Sequence, residues 1–423
     1  MAGAQGSARA AGTRTAGQDD RGAALGRDPE PGTALYVHLP FCAAKCPYCD
    51  FFSVPAEGQD LSGTIDAILA EARARAPRGP RTVYLGGGTP SLFPAPELLR
   101  LLDGLDTLTG FRDSAIEVTA ECNPESLDED KARCLLELGV TRLSIGFQSL
   151  RPELLELFGR VHDVNDSFRA FEAARRAGAS NVNIDLIYGA PGQDLGEWLE
   201  DLGQVIGLGP EHISAYNLTF EEGTLFRRWL EQGRLQPQPE AMELDFFLAT
   251  RARLSDRGYD AYEISNFSLS DRFCDHNINY WHNGPYVGLG PSAVSRVGPR
   301  RAGNVRSIAE YLRRIARDHE ALDWSEEPEA RVRLGETWWL GLRLREGLSP
   351  AEARARACAP GMAWAEPDPM ESTARRMAAN GLLERRGSRY RLTKKGLPLA
   401  DAIAREFLDL PSGAGLEGPR AGG

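Results

Sequence analysis

Three of the chain's seven cysteines lie within eight positions of one segment, YVHLPFCAAKCPYCDFFS, residues 36–53. Cys42, Cys46 and Cys49 follow the spacing C-x3-C-x2-C, which puts three thiols on one short loop. Thiolates are the ligands of structural zinc sites and of iron–sulfur clusters. The loop is therefore the first candidate for a metal centre.

A zinc site, an iron–sulfur cluster and a chance grouping of buried cysteines are three interpretations of this loop. Zinc usually completes four ligands from a second ligand pair, but the sequence has no second CxxC and no HxxxH pattern. A lone fourth ligand could come from Cys122, Cys134 or Cys274. Three thiolates on an iron–sulfur cubane leave one iron with an open coordination position. The density and spacing of the cysteines favour the cluster.

Glycine-rich and polar motifs follow the cysteine loop at the ends of predicted strands. GGGTP occupies residues 86–90, ECNPE places Glu121 at the next strand end, and Gln148 and Asp185 lie late in the two strands that follow. Parallel strands end at one edge of a sheet, so these groups should lie near the cysteines. Glycines let the backbone approach a ligand closely, and a carboxylate can accept hydrogen bonds from a ribose or an amine. Taken alone, Arg160 and Asp185 could equally form a surface ion pair.

The elements that position these motifs alternate between short β-branched or aromatic runs and helical patterns. Strands are predicted at 34–39, 82–87, 115–122, 142–148, 181–189 and 212–218. Helices are predicted at 61–76, 95–104, 127–138, 164–177 and 194–206. Such repeats form right-handed crossovers and a parallel sheet, so the fold class is α/β. Six units can curl into a partial (β/α)6 barrel or spread as a doubly wound sheet.

The pattern changes after residue 230. Further helices are predicted near 240–257, 306–318 and 328–345. The last part of the chain is predicted to form a helix, a turn, two short strands around YRLT and a second helix, a winged-helix-like segment of an α+β region. We therefore expect a core domain at 33–230 and a C-terminal domain at 231–410.

The composition indicates which kinds of partner and which cellular compartment to expect. The net charge is −11 and the pI is near 5.3, which disfavours nucleic-acid binding because phosphate contacts depend on Lys and Arg. The sequence has no apolar run long enough for a transmembrane segment and no secretory signal. The odd number of cysteines argues against a disulfide framework. We therefore expect a cytoplasmic protein. The acid-free, arginine-containing start leaves a mitochondrial presequence as an alternative. Residues 1–32 and 411–423 are poor in bulky apolar residues and are predicted to be disordered tails.

The cysteine spacing, with Tyr48 before the last cysteine, resembles the cluster loop of the radical S-adenosylmethionine (SAM) superfamily. The resemblance covers roughly residues 33–405 and implies the partial (β/α)6 barrel. It also implies a [4Fe–4S] cluster on the three loop cysteines, with SAM on the open iron. The SAM contacts that it implies are Tyr36, Gly87, Gly88, Thr89, Glu121, Gln148, Arg160 and Asp185.

Within that superfamily the chain resembles the branch that holds oxygen-independent coproporphyrinogen III oxidase and the HemW-type heme chaperones. The oxidase has a further cysteine two residues after the last cluster cysteine, where this chain has Phe51. HNINYW, residues 276–281, matches the HNxxYW motif of the chaperones. The resemblance therefore implies heme binding and delivery to an acceptor protein without oxidase activity. The alternative is the oxidase reaction, radical decarboxylation of coproporphyrinogen III to protoporphyrinogen IX.

The chaperone branch also implies a heme site and partners for this chain. His276 would be an axial heme ligand, and Tyr280 and Trp281 would stack on or edge the porphyrin. Without the resemblance, these residues would be interpreted as loop and core residues. Val294 stands where members of the branch often have a histidine, which predicts weaker or different heme ligation. The implied partners are heme, an acceptor such as a respiratory protein, and an electron donor such as flavodoxin or ferredoxin.

Overall fold

The computed structural model describes residues 32–269, 271–357 and 369–408. The two predicted tails lie outside these residues, except for Gly32. The chain divides into two compact units, one with residues up to 280 together with 284–327, the other with 281–283 and the chain from 328 onwards. The predicted boundary at residue 230 falls inside the first unit, because strands beyond residue 260 join the same sheet.

The strands and helices are numbered in chain order. The strands are β1 (Ala34–Leu39), β2 (Phe41–Cys42), β3 (Val54–Pro55), β4 (Thr82–Gly87), β5 (Glu117–Cys122), β6 (Arg142–Gln148), β7 (Val182–Tyr188), β8 (His212–Asn217), β9 (Asp260–Ala261), β10 (Asn266–Ser268), β11 (Tyr286–Leu289), β12 (Val294–Val297), β13 (Arg300–Asn304), β14 (Leu322–Glu326), β15 (Leu383–Arg386) and β16 (Arg389–Leu392). The α-helices are α1 (Leu61–Arg75), α2 (Ala95–Thr109), α3 (Phe111–Ser114), α4 (Glu129–Glu137), α5 (Pro152–Leu157), α6 (Val164–Arg176), α7 (Leu195–Leu208), α8 (Leu225–Glu231), α9 (Glu240–Ser255), α10 (Asp275–Trp281), α11 (Ile308–Asp318), α12 (Ala330–Leu342), α13 (Pro350–Ala357), α14 (Pro369–Ala379) and α15 (Ala400–Leu408).

The six predicted strands form the middle of the sheet in the first unit. They are hydrogen-bonded in the order β1-β4-β5-β6-β7-β8, and every neighbouring pair is parallel. A helix lies between each strand and the next along the chain, as the repeated strand–helix pattern predicts. The predicted fold class, a partial barrel of six strand–helix units, is confirmed.

Six further strands extend this sheet on both sides, giving twelve strands within the described residues. β11 pairs in parallel with β1, and β12, β13 and β14 follow it in antiparallel pairs. On the other side β10 and β9 continue from β8 in antiparallel pairs. These strands have two to five residues, and β11 and β13 contain a glycine, so they carry too little alternation to be predicted from sequence.

The side chains of the central strands alternate between the helices and the interior of the barrel. Leu35 and Val37 of β1 and Leu85 of β4 belong to the main apolar core with residues of α1 and α2. Tyr36, between the two core residues of β1, and Tyr84, which precedes Leu85 on β4, belong to a separate small cluster. The helix side of the sheet is therefore apolar, whereas the interior carries aromatic and polar side chains that can meet a ligand.

The second unit has its own apolar core. Trp338 of α12 is fully buried and stacks on Phe407 of α15, with ring centroids 5.3 Å apart. α14, the β15–β16 hairpin and α15 follow one another as helix, hairpin and helix. This is the winged-helix-like order that the sequence predicts. Among the described residues, no helix of either unit combines the length and the apolar character that crossing a membrane requires.

Candidate functional site

The cysteine loop leaves the sheet directly after β1 and is fixed at its base. β2, which ends at Cys42, pairs in parallel with β3, so the chain returns to its starting point after residue 53. Within the loop the backbone N–H of Cys49 donates to the carbonyl oxygen of Cys46 at 3.2 Å. All three thiols are free and partly exposed, which leaves their sulfur atoms available to a metal centre.

The residues between the second and third cysteines anchor the loop to the barrel. The carbonyl oxygen of Pro47 accepts a hydrogen bond from the backbone N–H of Phe226 at 3.0 Å. The ring of Tyr48 packs edge-on against Phe158, with centroids 5.3 Å apart, and also against Phe226 at 6.0 Å. A hydrogen bond and two aromatic contacts thus hold the loop between α5 and α8, and this explains the aromatic residue within the cysteine motif.

Cys42 has hydroxyl groups beside its sulfur. Burial raises the pKa of the Cys42 thiol, while hydrogen bonds from the Thr89 and Ser53 hydroxyls act in the opposite direction. Donors of this kind stabilise a thiolate once a metal has displaced the proton. Thr89 is itself held in place, since its backbone N–H donates to the carbonyl oxygen of Phe41 at 2.8 Å.

Cys49 and Cys46 have different donors. Burial raises the pKa of the Cys49 thiol to about 11, against which the Lys45 charge and the backbone N–H of Phe51 act. Cys46 is approached by the guanidinium of Arg160, whose Nη1 lies 3.5 Å from Cys46 Sγ. The Cys46 sulfur thus has a hydrogen-bond donor, and groups near Cys42 and Cys49 oppose the effect of burial on the pKa values of those thiols, which suits three anionic thiolates held around one centre.

The spacing of the three cysteines, more than their positions in the structure, favours a multinuclear cluster over a single ion. Within the described parts of the chain, no three His, Cys, Asp or Glu side chains are arranged to hold one metal ion. A cubane binds each thiolate to a different iron, so its three sulfurs need not converge on one point. Cys42, Cys46 and Cys49 would hold such a cluster.

Glu121 occupies the centre of the predicted SAM region. Its Oε1 accepts from the Tyr84 hydroxyl at 2.8 Å and its Oε2 from the backbone N–H of Gly87 at 3.0 Å. Burial raises the pKa of Glu121 to about 7; those two hydrogen bonds lower it and the charge of Asp185 raises it further. The carboxyl group can therefore change its protonation state near neutral pH when a ligand arrives.

Gly87 and Gly88 bring the backbone close to neighbouring groups, as the GGGTP motif predicts. Gly87 has φ +95°, and a Cβ there would overlap the ring of His38. A Cβ on Gly88 would lie 2.5 Å from the carbonyl oxygen of Leu39 and 2.6 Å from that of Phe41. The turn after β4 can therefore pack against the start of the cysteine loop only because it is glycine.

Tyr36 is connected to the cysteine loop through His38. The Nε2 of His38 lies 2.8 Å from the carbonyl oxygen of Phe52, which can only accept, so this nitrogen carries the proton. His38 Nδ1 then accepts from the Tyr36 hydroxyl at 2.9 Å. Burial lowers the pKa of His38 to about 4, which keeps the ring neutral and this arrangement intact.

Asp185 and Gln148 belong to the two strands beyond Glu121. Asp185 is the fourth residue of β7; its Oδ2 accepts from the Ser144 hydroxyl at 3.0 Å and its Oδ1 from Asn183 Nδ2 at 2.9 Å. Gln148 ends β6 with φ 65°, a left-handed conformation that is uncommon for a side-chain-bearing residue and clusters at functional sites. Its Nε2 would lie 2.7 Å from a Cβ on Gly146.

The structure thus brings the predicted residues into two adjoining groups. Arg160 and Thr89 adjoin the cysteines, while Gly87, Glu121 and Asp185 meet inside the barrel. Sequence reasoning missed two residues beside these groups: His38, which lies between Gly87 and the cysteine loop, and Asn123, which joins Arg160 to Thr89. His38 is two positions after Tyr36 on the same strand and so faces the same side, and Asn123 is part of the strand-end motif ECNPE. The roles of the individual site residues remain predictions.

His276, the predicted heme ligand, is fully buried in the interior of the first unit. Its Nδ1 lies 2.9 Å from the Thr82 hydroxyl and its Nε2 3.0 Å from the Tyr280 hydroxyl. Burial lowers the pKa of His276 to about 3, so the ring is neutral. Glu117 accepts hydrogen bonds from the backbone N–H groups of Asp275 and His276 at the start of α10, which fixes this short helix. In this conformation no ring nitrogen is free to bind iron.

Trp281 belongs to the second unit. The guanidinium of Arg343 lies over its ring, 4.9 Å from the centroid. The contact is a cation–π interaction, and it covers one face of an indole that was predicted to stack on porphyrin. Heme contact by His276, Tyr280 and Trp281 therefore remains a prediction, and it requires side chains to leave the partners described above.

The chain's six histidines differ sharply in accessibility. His38, His162, His212 and His276 are all buried. Their ring nitrogens all have hydrogen-bond partners: Tyr36 and Phe52, Glu125 and Phe147, Asn183 and Tyr262, and Thr82 and Tyr280. His319 is exposed, and His282 is one-third exposed with Nε2 3.6 Å from Glu346 Oε1.

The barrel and its cysteine loop define a radical SAM protein. A model of the radical SAM superfamily matches residues 36–205, and a model of the HemN C-terminal domain matches residues 329–399. The chain is 32% identical over 383 residues to the heme chaperone HemW of Bacillus subtilis, covering 89% of this chain and 99% of the relative. It is 38% identical over 275 residues to HemW of Escherichia coli, covering 63% and 71%. The chain therefore belongs to the HemW family of radical SAM proteins.

A solved structure supports the fold. Coproporphyrinogen III oxidase (HemN) of Escherichia coli, a radical SAM enzyme, superposes with a TM-score of 0.77 and covers 91% of this chain and 92% of its own. The two sequences are 24% identical, so this likeness shows the architecture alone. Family membership confirms the prediction of a [4Fe–4S] cluster and SAM as the cofactors.

Proposed function

We propose that this protein binds heme and transfers it to an acceptor protein, and that it carries a [4Fe–4S] cluster and SAM while doing so. The observation that carries the proposal is the match to heme chaperones along almost their whole length, 99% of the Bacillus relative. Phe51, in place of the further cysteine of the oxidase branch, is consistent with it. The cluster, when bound, supplies an electron-transfer centre with one iron open to SAM.

Some of the residues around the cysteine loop would bind the cluster, and others would bind SAM. Cys42, Cys46 and Cys49 would hold the cluster, the GGGTP turn at Gly87 would face the amino group of SAM, and Glu121 would accept hydrogen bonds from its ribose or its amine. The hydrogen-bonded pair of Glu121 Oε2 and the Gly87 N–H, 3.0 Å apart, supports this because both groups face the interior of the barrel. Replacing Cys46 with Ser should leave a folded protein that lacks the brown cluster absorbance, and full iron content in that variant would contradict the ligand assignment.

Heme binding is tested by anaerobic titration of the reconstituted protein. We expect a Soret band that saturates at a defined stoichiometry, followed by loss of heme to an apo-acceptor such as a heme-free respiratory cytochrome. A linear, non-saturating absorbance increase would contradict a built heme site. Titration of His276→Ala in parallel separates the ligand question from the binding question. An unchanged Soret band and affinity in that variant would remove His276 as the ligand.

The oxidase reaction is the second candidate function, because the sequence motifs resemble the branch of the superfamily that holds both the oxidase and the chaperones. The test incubates reconstituted protein with coproporphyrinogen III, SAM and a reductant under anaerobic conditions. We expect no protoporphyrinogen IX beyond the background of a Cys46→Ser control. Product formed at repeated turnover would replace the chaperone proposal with the enzymatic one.

The remaining partners and the compartment follow from the same proposal. A cytoplasmic location suits an oxygen-sensitive cluster and seven cysteines that are not expected to form a disulfide framework. An electron donor of the flavodoxin or ferredoxin type would reduce the cluster. The acidic net charge of −11 is consistent with no role in nucleic-acid binding.

A further inference from the structure

A chain of side-chain hydrogen bonds leads from Cys46 to Thr89, a residue beside Cys42. Arg160 Nη1 lies 3.5 Å from Cys46 Sγ, and its Nη2 donates to Asn123 Oδ1 at 2.7 Å. Asn123 Nδ2 in turn donates to the Thr89 hydroxyl at 2.9 Å. The Thr89 hydroxyl is also near the Cys42 thiol and lowers its pKa, as a neighbouring donor does. We call this path, Cys46–Arg160–Asn123–Thr89–Cys42, the cysteine bridge.

The members of the bridge are held by the backbone of the barrel. Arg160 Nη2 also lies 3.3 Å from the carbonyl oxygen of Gly146 on β6, and the Arg160 N–H donates to Leu155 at 2.9 Å. A Cβ on Gly146 would lie 3.0 Å from Asn123 Oδ1, so the absence of a side chain there makes room for the amide. The Asn123 backbone N–H donates to the Ser91 hydroxyl at 3.2 Å. The guanidinium is thus positioned before any cofactor is bound.

The chemistry of the two central residues suits this arrangement. A guanidinium is always charged and offers several donors in a rigid plane, so one edge can meet a sulfur while another meets an amide oxygen. An amide has both an acceptor and a donor, which lets Asn123 accept from Arg160 and donate to Thr89. Lys45, the other nearby cation, has its Nζ directed at the Phe51 carbonyl oxygen and the Ser53 hydroxyl instead.

We propose that Asn123 and Arg160 are positioning residues for the iron–sulfur cluster: they fix the Cys42 and Cys46 sulfurs relative to each other, and the Arg160 charge raises the cluster's reduction potential. Reduction adds negative charge to a cluster that is already anionic with its thiolates, so a cation that hydrogen-bonds one sulfur favours the reduced form. This role differs from the SAM contact implied for Arg160 by family resemblance, because it requires no SAM.

The test measures the cluster potential of full-length, anaerobically reconstituted protein without SAM, by redox titration monitored by electron paramagnetic resonance. Arg160→Gln should favour the oxidised form about tenfold, a shift of about 59 mV to more negative potential for one electron. Arg160→Lys should lie between wild type and Arg160→Gln. Asn123→Ala should shift the potential in the same direction, since Arg160 loses its 2.7 Å partner. Arg169→Gln makes the same change of charge at an exposed position on α6 and should leave the potential unchanged.

Each outcome decides the proposal. Wild-type potential in an Arg160→Gln protein with full iron content would overturn it, and so would equal shifts in Arg160→Gln and Arg169→Gln. If Arg160→Gln fails to hold iron, Asn123→Ala decides instead: full iron with wild-type potential overturns the proposal. Iron loss from an Asn123→Ala protein that is still folded by circular dichroism supports the bridge. None of these results bears on heme transfer, so failure here leaves the proposed function standing.

Discussion

Glu121 is a buried carboxyl group whose protonation state can depend on ligand binding. Burial and the charge of Asp185 raise the pKa of its carboxyl group to about 7, even though the Tyr84 hydroxyl and the Gly87 N–H both donate to it. A ligand that donates further hydrogen bonds to Glu121 must favour the carboxylate form. Binding and deprotonation are then coupled.

We expect SAM affinity to fall as the pH drops below about 7, because protons then compete with SAM for Glu121. The fall can reach tenfold per pH unit, the limit for one proton. Isothermal titration of wild type and Glu121→Gln between pH 6 and pH 8 measures it. The titration of SAM itself is common to both proteins, so parallel pH profiles would refute the coupling.

His276 predicts a second pH effect, on stability. Its pKa is about 3 in the folded protein and near 6.5 in an unfolded chain. A depressed pKa means that the unfolded state binds more protons, so the contribution of the neutral ring is full above pH 6.5 and is lost as the pH falls toward 3. We expect the stability difference between wild type and His276→Gln to shrink between pH 7 and pH 5. Urea unfolding at both pH values measures it, and an unchanged difference would contradict the buried, neutral ring.

At the scale of elements, the turn after β4 determines where the cysteine loop can start. Gly88 lies against the backbone oxygen atoms of Leu39 and Phe41, which are the last residue of β1 and the first of β2. Backbone atoms cannot rotate away as a flexible side chain could. The close approach of the turn to the base of the loop is therefore a property of glycine.

Gly88→Ala is expected to destabilise the protein by about 1–3 kcal/mol through this overlap and to lower iron content after reconstitution. Gly207→Ala is the matched control, since Gly207 lies within α7 with open space around it. Alanine in that helix should be neutral or should stabilise the protein by up to about 1 kcal/mol. Thermal unfolding and iron analysis of both variants decide the matter; equal behaviour would contradict the role of Gly88.

The central elements were predictable from sequence, and the additions to the sheet were not. All six central strands were predicted to within two residues at each end, because buried parallel strands are nearly continuous apolar runs. β11 to β13 lie in and after residues 275–295, DHNINYWHNGPYVGLGPSAVS, a Gly-rich stretch for which the sequence predicts no strand. β11 is a strand because it pairs with β1, which is distant in sequence. The local sequence therefore gives no sign of it.

At the scale of the whole molecule, two separate apolar cores underlie the two units. The second core consists of residues between Leu334 and Phe407 and contains Trp338, Met370, Tyr390 and Ile403. The boundary expected at residue 230 rested on a change of pattern, from repeated strand–helix units to mixed elements. The sequence pattern indicates the order of helices and strands, but it does not indicate which of them pack into the same core, and a shared core defines a unit.

Trp338→Ala should cost about 3–5 kcal/mol, because it removes a fully buried indole stacked on Phe407. The loss should fall on the second core, so hydrogen exchange should accelerate in α12, α14 and α15 while the amides of β4 to β7 stay protected. Iron bound to the cysteine loop should be retained. Uniform acceleration along the chain would show that the two cores unfold as one.

The candidate site was predictable where a motif names its chemistry and was not predictable where a residue acts through others. The cysteine spacing, GGGTP and Glu121 could be recognised because metal binding and close backbone approach demand particular residue types. Asn123 could not be recognised in this way, because an amide beside a strand end is common. Its role depends on hydrogen bonds to Arg160 and Thr89, which are distant in sequence. Spatial partners of this kind emerge only from the fold.

The uneven accessibility of the histidines has a practical consequence for anyone who mixes this protein with hemin. Hemin in solution can bind surface imidazoles. On this molecule His319 is exposed, whereas His282 is one-third exposed with its Nε2 buried, so nonspecific coordination should fall first on His319 until the interior rearranges. A spectrum that survives removal of both would report a genuine opening of the inner wall of the barrel.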